Sequence, residues 1–453
     1  MEITAYRQYV KDKHISVIGI GVSNIPLMRF LLAAGAKVTA HDKKEKERLG
    51  EIYNELSGLG VEFVLGEEYL KHIPEETEII FKTPGLRADV LELLDAKMRG
   101  ITITSEMELF FDICPCDIIA VTGSDGKTTT TTLIGEMLKE EGYTCYIGGN
   151  IGKPLIGEVE NIKKSDKVVL ELSSFQLFSM RKSPKVAVVT NVTPNHLDWH
   201  IDFDEYVESK KNIMKFQDEK CVLVTNLANE VSKKIGEEAK GEHRGFSSKG
   251  DALVHLEDGV ICYGKEKIIN AGDIRIPGLH NVENYMAAIA ATKDYVSLKT
   301  IEKVAKNFGG VAHRIEFVRE KDGVKYYNDS IASSPARTTA GLKSFDQKVI
   351  LIAGGYDKKI PFDDFGKVVN EYVKTLVLVG VTSDKIEKAA KNAENFKDIE
   401  IIRATGFEDA VVSAKNCAKN GDVVLLSPAC ASFDLFDNFE QRGNVFKEIV
   451  MNF

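Results

Sequence analysis

The densest chemical signal in the chain is the run V-T-G-S-D-G-K-T-T at 121–129, where an apolar strand expected over 117–122 enters a glycine turn and then a Thr-rich helix start. Glycines at 123 and 126 let backbone N–H groups approach and cradle phosphate oxygens. The helix N-terminus adds partial positive charge. Lys127 supplies a point charge for outer phosphates, and Thr128 a hydroxyl suited to Mg2+. A standard phosphate loop would have its first glycine at Val121, so this is a variant with shorter glycine spacing. A chance glycine turn is the competing reading, and the strand before, the helix after and the Gly-Lys-Thr triplet together outweigh it.

Two further groups fall where α/β sites form, at the C-terminal ends of expected parallel strands. Glu171 closes the strand over 167–172, and His196 follows the strand over 186–190. Mg2+ prefers carboxylate, hydroxyl and phosphate oxygens, and a neutral histidine is a less usual ligand. Alone, such a glutamate is ordinarily solvated and such a histidine structural; their place after the phosphate loop raises both. Nearer the N-terminus, Gly19 and Gly21 form a partial G-x-G-x-x-G with Asn24 in the third glycine position, and Asp42 lies where a ribose-binding acid would. The lost glycine and the lysines Lys43 and Lys44 favour a phosphorylated ligand other than NAD. In the last third, Arg314, Asp329, Lys358 and the S-P-A-C-A-S-F run at 427–433 fall in loops or at strand ends. Each basic residue there is ordinarily a solvated charge, although Arg314 and Lys358 have the chemistry to pair with carboxylates or phosphates.

The elements needed to position these groups recur three times along 453 residues as alternating apolar strands and amphipathic helices, a pattern of parallel sheets with crossover helices. The stretch 241–273 reads as irregular β structure, and the chain is expected to end in a helix from about Phe439. A net charge of −9 argues against a nucleic-acid footprint. No apolar leader and no uncharged apolar stretch of membrane-spanning length is visible, and the seven scattered cysteines read as reduced thiols, so a cytoplasmic location is expected.

Taken in order, these segments resemble the Mur ligases. The likeness is carried by the phosphate loop, by I-G-G-N-I-G at 147–152, L-E-L-S-S-F-Q-L at 170–177, N-V-T-P-N-H-L-D at 191–198 and G-L-H-N-V-E-N at 278–284. Further on come N-D-S at 328–330, S-P-A-C-A-S at 427–432 and N-F-E-Q-R-G-N at 438–444. The resemblance implies an α/β protein of three domains: a Rossmann-like UDP-sugar-binding domain over 1–105, a central P-loop-type ATPase domain with a mainly parallel sheet over 106–310, and a Rossmann-like amino-acid-binding domain over 311–453. It implies an ATP-dependent amide-forming ligase of peptidoglycan precursor synthesis that adds D-glutamate to UDP-N-acetylmuramoyl-L-alanine through an acyl phosphate, uses two Mg2+ ions, and acts as a monomer.

Carried over residue by residue, the resemblance gives Gly123, Ser124, Asp125, Gly126, Lys127, Thr128, Thr129, Asn284, Arg314 and Asp329 to ATP. It gives Ser23, Asp42, Lys43, Thr83, Gly85, Asn150, Ser173, Gln176 and His196 to the UDP-sugar, and Lys358, Ser432, Phe433 and Phe439 to the amino acid. The metal set is Thr128, Glu171, His196 and a carbamylated lysine, for which Lys210 has the matching register and which composition alone would place on the surface. One departure touches the amino-acid side: the family's N-D-S-K-A-T reads N-D-S-I-A-S here, with Ile331 in the lysine position and Arg337 placed to supply the charge. A dinucleotide oxidoreductase and a non-catalytic ATP-binding protein are the competing classes. The first leaves the 121–129 loop unexplained, and the second leaves Glu171, His196 and Lys210 unexplained. Beside them stands another ligase reading, a different Mur ligase step or folylpolyglutamate synthesis, against which the S-P-A-C-A-S run argues.

Overall fold

Strands that are buried on both faces read as unbroken apolar runs, because parallel sheets carry helices on both sides. The runs I-I-A-V-T, V-I-L-I-A and V-V-L-L meet that condition, and every residue in them is buried. The computed structural model describes residues 1–397 and 399–453. Three sheets account for all the strands in the described residues.

The first sheet holds β1 (His14–Ile18), β2 (Lys37–Asp42), β3 (Glu62–Leu65), β4 (Ile79–Lys82) and β5 (Thr102–Thr104), ordered 3-2-1-4-5. All four pairings in it are parallel. The order reverses between β1 and β4, which opens a ligand-binding crevice at their C-terminal ends. A Cβ on Gly19, just past β1, would lie 2.9 Å from Cβ of Thr83, just past β4. The backbones can approach this closely because residue 19 has no side chain.

The second sheet holds β6 (Ile118–Thr122), β7 (Cys145–Gly149), β8 (Lys167–Glu171), β9 (Val186–Val189), β10 (Val222–Asn226), β11 (Glu242–Ser247), β12 (Val254–Glu257), β13 (Val260–Tyr263) and β14 (Glu266–Asn270), ordered 14-13-12-11-10-9-6-8-7. β6 lies between β8 and β9, so the chain ends of all three converge on one place. The expectation of irregular β structure over 241–273 is corrected. β11 extends the parallel sheet, and β12 and β13 form a hairpin in register Glu257↔Val260. Its two-residue turn, Asp258-Gly259, has φ of 48° and 77°, the positive-φ pair that matches strand twist.

The third sheet holds β15 (Glu316–Lys321), β16 (Val324–Asn328), β17 (Val349–Ala353), β18 (Val373–Leu378), β19 (Glu400–Arg403) and β20 (Val423–Leu426), ordered 15-16-20-17-18-19. Only β15–β16 is antiparallel, closed by a second Asp-Gly turn at Asp322-Gly323. Apolar clusters cover both faces of this sheet, one around Leu351, Leu376 and Leu425 and the other around Ile350, Val377 and Val424.

One core runs through the first two sheets, from Tyr6 and Val17 to Ala187 and Leu223. The chain divides into two compact units, residues 1–269 with 283–304, and residues 270–282 with 305–453. No helix among the described residues is long and apolar enough to cross a membrane. All seven cysteines are free.

Candidate functional site

β6 delivers the chain into residues 123–126, and helix Lys127–Glu141 starts immediately after. Gly126 is its N-cap in the left-handed region and, lacking a side chain, makes no side-chain cap hydrogen bond. A Cβ on Gly126 would lie 2.3 Å from Asn284 Oδ1, and one on Gly123 (φ 151°) would lie 1.9 Å from Thr190 Oγ1. The loop is tied to the chain after β9: Ser124 N donates to Asn191 O at 2.9 Å, and Asp125 N to Asn191 Oδ1 at 3.0 Å. Ser124 Oγ lies 2.9 Å from the Tyr206 hydroxyl. Lys127 Nζ donates to the carbonyls of Gly123 (3.0 Å) and Ser124 (2.9 Å). Thr130 Oγ1 donates to Asn284 Oδ1 at 3.2 Å, so Asn284 packs against the loop helix.

Glu171 ends β8 beside this loop and is buried. Its Oε1 accepts from Asn150 Nδ2 at 2.9 Å, while Oε2 has no hydrogen-bond partner among the described residues. A buried carboxylate oxygen without a donor is costly unless a cation faces it. Lys210, on helix Phe203–Lys215, is 1% exposed and donates to Gly123 O at 2.7 Å, with its ammonium 4.6 Å over the Tyr206 ring. Burial, reinforced by the nearby charge of Lys127, pushes its pKa well below the usual lysine range and favours the neutral amine. The lysine that composition would leave on the surface is thus a core residue of the site. Ser173 and Gln176 form a capping box on the short helix after Glu171. His196 is exposed, takes φ of 54°, and meets the Phe175 ring edge-on at 4.9 Å.

At the β1–β4 crevice, Asp42 is already engaged: its oxygens accept from Ile20 N (2.7 Å) and Lys44 N (2.8 Å), which pins two turns together. Asn24, in the lost glycine position, donates to the carbonyls of Ile18 and Gly19 and braces the turn beside Ser23. Lys43 is exposed and paired with Glu67 at 3.0 Å. Thr83 and Gly85 form the opposite lip, after β4.

In the second unit, Asp329 follows β16 and is buried. Ser427 Oγ donates to it at 2.6 Å and Ile315 N at 3.3 Å, yet burial raises its pKa to about 7 from 3.8. Such a carboxyl holds its proton in the folded chain and releases it near pH 3.8 when unfolded. Its contribution to stability is therefore largest below about 3.8, falls through the interval up to about 7, and is flat above. We expect the unfolding midpoint of Asp329→Asn to gain on that of the native chain as pH rises from about 5 to 7, by an amount equivalent to a few kcal/mol at most. Parallel midpoint-against-pH curves for the two proteins would disprove it.

Arg314 and Lys358 are exposed, and Phe433 is exposed with its ring 5.9 Å from that of Tyr356. Ser432 is buried, and Phe439 opens the last helix, Phe439–Met451, with its ring 5.9 Å from His313. Arg337 Nη1 donates to Ile331 O at 3.4 Å, so its guanidinium lies by the departed lysine position. The residue that organises this region carried no assigned role in the sequence. Buried Arg442 donates to the carbonyls of Ser330 (2.8 Å), Cys430 (3.1 Å) and Ala431 (3.1 Å) and to Ser330 Oγ (3.0 Å). It fastens the 427–432 turn, in which Ala429 takes a left-handed φ of 58°, to the end of β16. Its place inside the N-F-E-Q-R-G run was the available signal.

A glycine-bordered loop at a helix start, a buried acid with an unmet oxygen at the end of β8 and a buried lysine on helix Phe203–Lys215 come together in the first of the two compact units. Family models match the chain in the same order: "Mur ligase MurD-like, N-terminal domain" over 13–105, "Mur ligase middle domain" over 121–292 and "Mur ligase, glutamate ligase domain" over 313–430. The chain belongs to the Mur ligase family. It is 52% identical to the UDP-N-acetylmuramoylalanine--D-glutamate ligase of Acetivibrio thermocellus over 99% of this chain and 98% of that protein. It is 51% identical to the protein of the same name from Clostridium perfringens over 100% and 99%. Among solved structures, a UDP-N-acetylmuramate-alanine ligase from Thermotoga maritima aligns with a TM-score of 0.58 over 97% of this chain and 99% of that chain at 19% identity, a likeness of fold.

Proposed function

We propose that this protein joins D-glutamate to UDP-N-acetylmuramoyl-L-alanine at the expense of ATP, in the cytoplasm and as a monomer, within peptidoglycan precursor synthesis. The observation that carries the reading is collinear identity of about one residue in two, over whole lengths, with relatives bearing that name. The proposed domain bounds are 1–105, 106–310 and 311–453.

Amide formation from a free carboxylate is uphill in water, so the alanyl carboxylate is first activated. Its oxygen attacks the γ-phosphorus of ATP, the bond to the β-phosphate oxygen breaks, and an acyl phosphate and ADP result. The free amine of glutamate then attacks the acyl carbon, phosphate leaves, and the amine gives up its proton. Phosphoryl transfer requires alignment and charge neutralisation more than covalent help. The 123–126 amides and Lys127 meet the phosphates, with Asn284, Arg314 and Asp329 holding the nucleotide. Ser23, Asp42, Lys43, Thr83 and Gly85 hold the UDP end of the sugar, and Asn150, Ser173, Gln176 and His196 its peptide end. Lys358, Ser432, Phe433 and Phe439 hold the amino acid, with Arg442 fixing the turn that presents Ser432.

The donor set fits Mg2+: Thr128 offers a hydroxyl, Glu171 an unmet carboxylate oxygen, His196 an imidazole, and Lys210 a neutral-leaning amine whose carbamate would present carboxylate oxygens. Two ions are proposed, and when bound there Mg2+ neutralises phosphate charge.

The test is phosphate release with ATP, Mg2+ and UDP-N-acetylmuramoyl-L-alanine, comparing D-glutamate with L-glutamate and other amino acids. Release that requires both the UDP-sugar and D-glutamate, with a product of the matching mass, is expected. Release with L-glutamate instead would keep the chemistry and move the specificity to the Ile331–Arg337 region. No release with any amino acid would remove the reading.

A further inference from the structure

The lip of the first-sheet crevice and the His196 segment of the second sheet are joined by one side chain, Arg87. Its guanidinium makes a two-pronged contact with Glu205, Nη1 to Oε2 at 2.9 Å and Nη2 to Oε1 at 2.8 Å. It makes a second with Asp89, at 2.9 and 2.7 Å. Nη1 also donates to the carbonyl of Trp199 at 3.2 Å, and the cation stands 4.8 Å from the Phe178 ring centre and 5.1 Å from that of Trp199. The indole in turn reaches back, with Nε1 donating to Gly85 O at 3.1 Å.

Glu205 extends the chain of contacts inward. It accepts from Ile201 N at 2.9 Å and lies 3.3 Å from His200 Nδ1, and the other ring nitrogen of His200 meets Ser174 Oγ at 3.0 Å. Ser174 begins the short helix after Glu171, and Glu205 sits in the first turn of the helix that carries Lys210. Between them, residues 196–200 form a tight turn: Trp199 N and His200 N both donate to the carbonyl of His196, whose φ of 54° is a conformation non-glycine residues hold only when the surroundings impose it. Arg87 holds Glu205 to a pKa of about 2, so this pair stays charged at all working pH values.

We infer that Arg87 is a positioning residue for the UDP-sugar. It fixes the Gly85 lip and the His196 turn in one geometry, so that a nucleotide-linked sugar spanning them meets both without paying to order either. The inference rests on the proposed function only for the identity of that ligand. A lysine in this place keeps the charge but loses the planar fork that serves Glu205 and Asp89 together.

Trp199 is the sole tryptophan of the chain, so the clasp carries its own reporter. The experiment titrates UDP-N-acetylmuramoyl-L-alanine into the native full chain and into Arg87→Lys, Glu205→Gln and the control Arg29→Lys, following tryptophan emission. Steady-state KM values for the UDP-sugar, ATP and amino acid and the melting temperature are measured on the same samples. Arg29 pairs with Glu55 on the surface of the first sheet's domain, where such a pair is worth little.

The expected result is a saturable emission change in the native chain. Its half-saturation point and the UDP-sugar KM both rise about tenfold in Arg87→Lys and in Glu205→Gln, the scale of one lost two-pronged charged contact. The other KM values and the melting temperature stay put, and Arg29→Lys matches the native chain throughout. Unchanged UDP-sugar KM in both clasp variants would overturn the inference, as would a rise of all three KM values together with a fall in melting temperature. A native chain that ligates nothing would overturn the proposed function and this inference with it. A ligating native chain with unaffected clasp variants would overturn this inference alone.

Discussion

Lys127→Ala should lose roughly two to three orders of magnitude in turnover while remaining folded, the size of effect seen when a single preorganised charge stabiliser is removed, about 3–4 kcal/mol. The structure separates this loss from a stability effect. Lys127 Nζ donates to two loop carbonyls, Gly123 O and Ser124 O, and is only partly buried. Net hydrogen bonds of this kind stabilise a fold by about 1 kcal/mol each, and Gly123 O keeps a second donor, Lys210 Nζ at 2.7 Å, when Lys127 is removed. When phosphate oxygens enter the cradle, the same ammonium exchanges two neutral partners for anionic ones. Its value is therefore greatest where charge builds up on the transferring phosphoryl group. The check is turnover at saturating ATP, UDP-sugar and D-glutamate beside a melting curve. Turnover within about threefold of the native chain, less than 1 kcal/mol of barrier, would remove Lys127 from the chemistry.

Part of this site was legible in the sequence. Gly123, Gly126 and Lys127 could be read because each acts through a property of its own: absent Cβ, positive φ, charge. The strand ends bearing Glu171 and preceding His196 were legible because both strands are buried on two faces and read as apolar runs. What was missed acts through partners. Arg442 and Arg87 look like surface cations until the structure shows carbonyls around one and a two-carboxylate fork around the other. The short strand Glu62–Leu65 lies at a sheet edge, where none of its residues is fully buried and the apolar run is short. The hairpins at Asp258-Gly259 and Asp322-Gly323 are hard to read because each pairs short strands of four to six residues, one of them rich in charged or polar side chains. The Asp-Gly pairs themselves were the signal, since both residues there take positive φ. The departure at Ile331 was visible as a letter, whereas the guanidinium of Arg337 beside it became visible only in the fold.

Lys210→Met should be nearly as damaging as the loss of Lys127, and for a different reason. At 1% exposure this amine costs the fold a desolvated cation if protonated, and burial together with the charge of Lys127 drives it toward the neutral form. A neutral, buried amine beside Glu171 is poorly suited to be a phosphate ligand. It is well suited to add to CO2, forming an N–C bond, releasing one proton and turning the position into an anion. The unmet Oε2 of Glu171 points to the same conclusion, because two carboxylate-type oxygens near one phosphate loop make a cation site, whereas one carboxylate beside an ammonium makes an ion pair. Methionine keeps the packing volume against Tyr206 and removes the nitrogen, so the variant should fold and lose at least about a hundredfold in turnover, near 3 kcal/mol. The native chain, stripped of CO2 and assayed in CO2-free buffer, should lose activity and regain it on adding bicarbonate, while the Met variant should respond to neither treatment. Native activity indifferent to CO2, together with a Met variant of near-native turnover, would make Lys210 a core lysine that only braces the Gly123 carbonyl. Loss in the Met variant with indifference to CO2 would assign it a role as the free amine, and the anionic site would then have to be built from Glu171 and the phosphates alone.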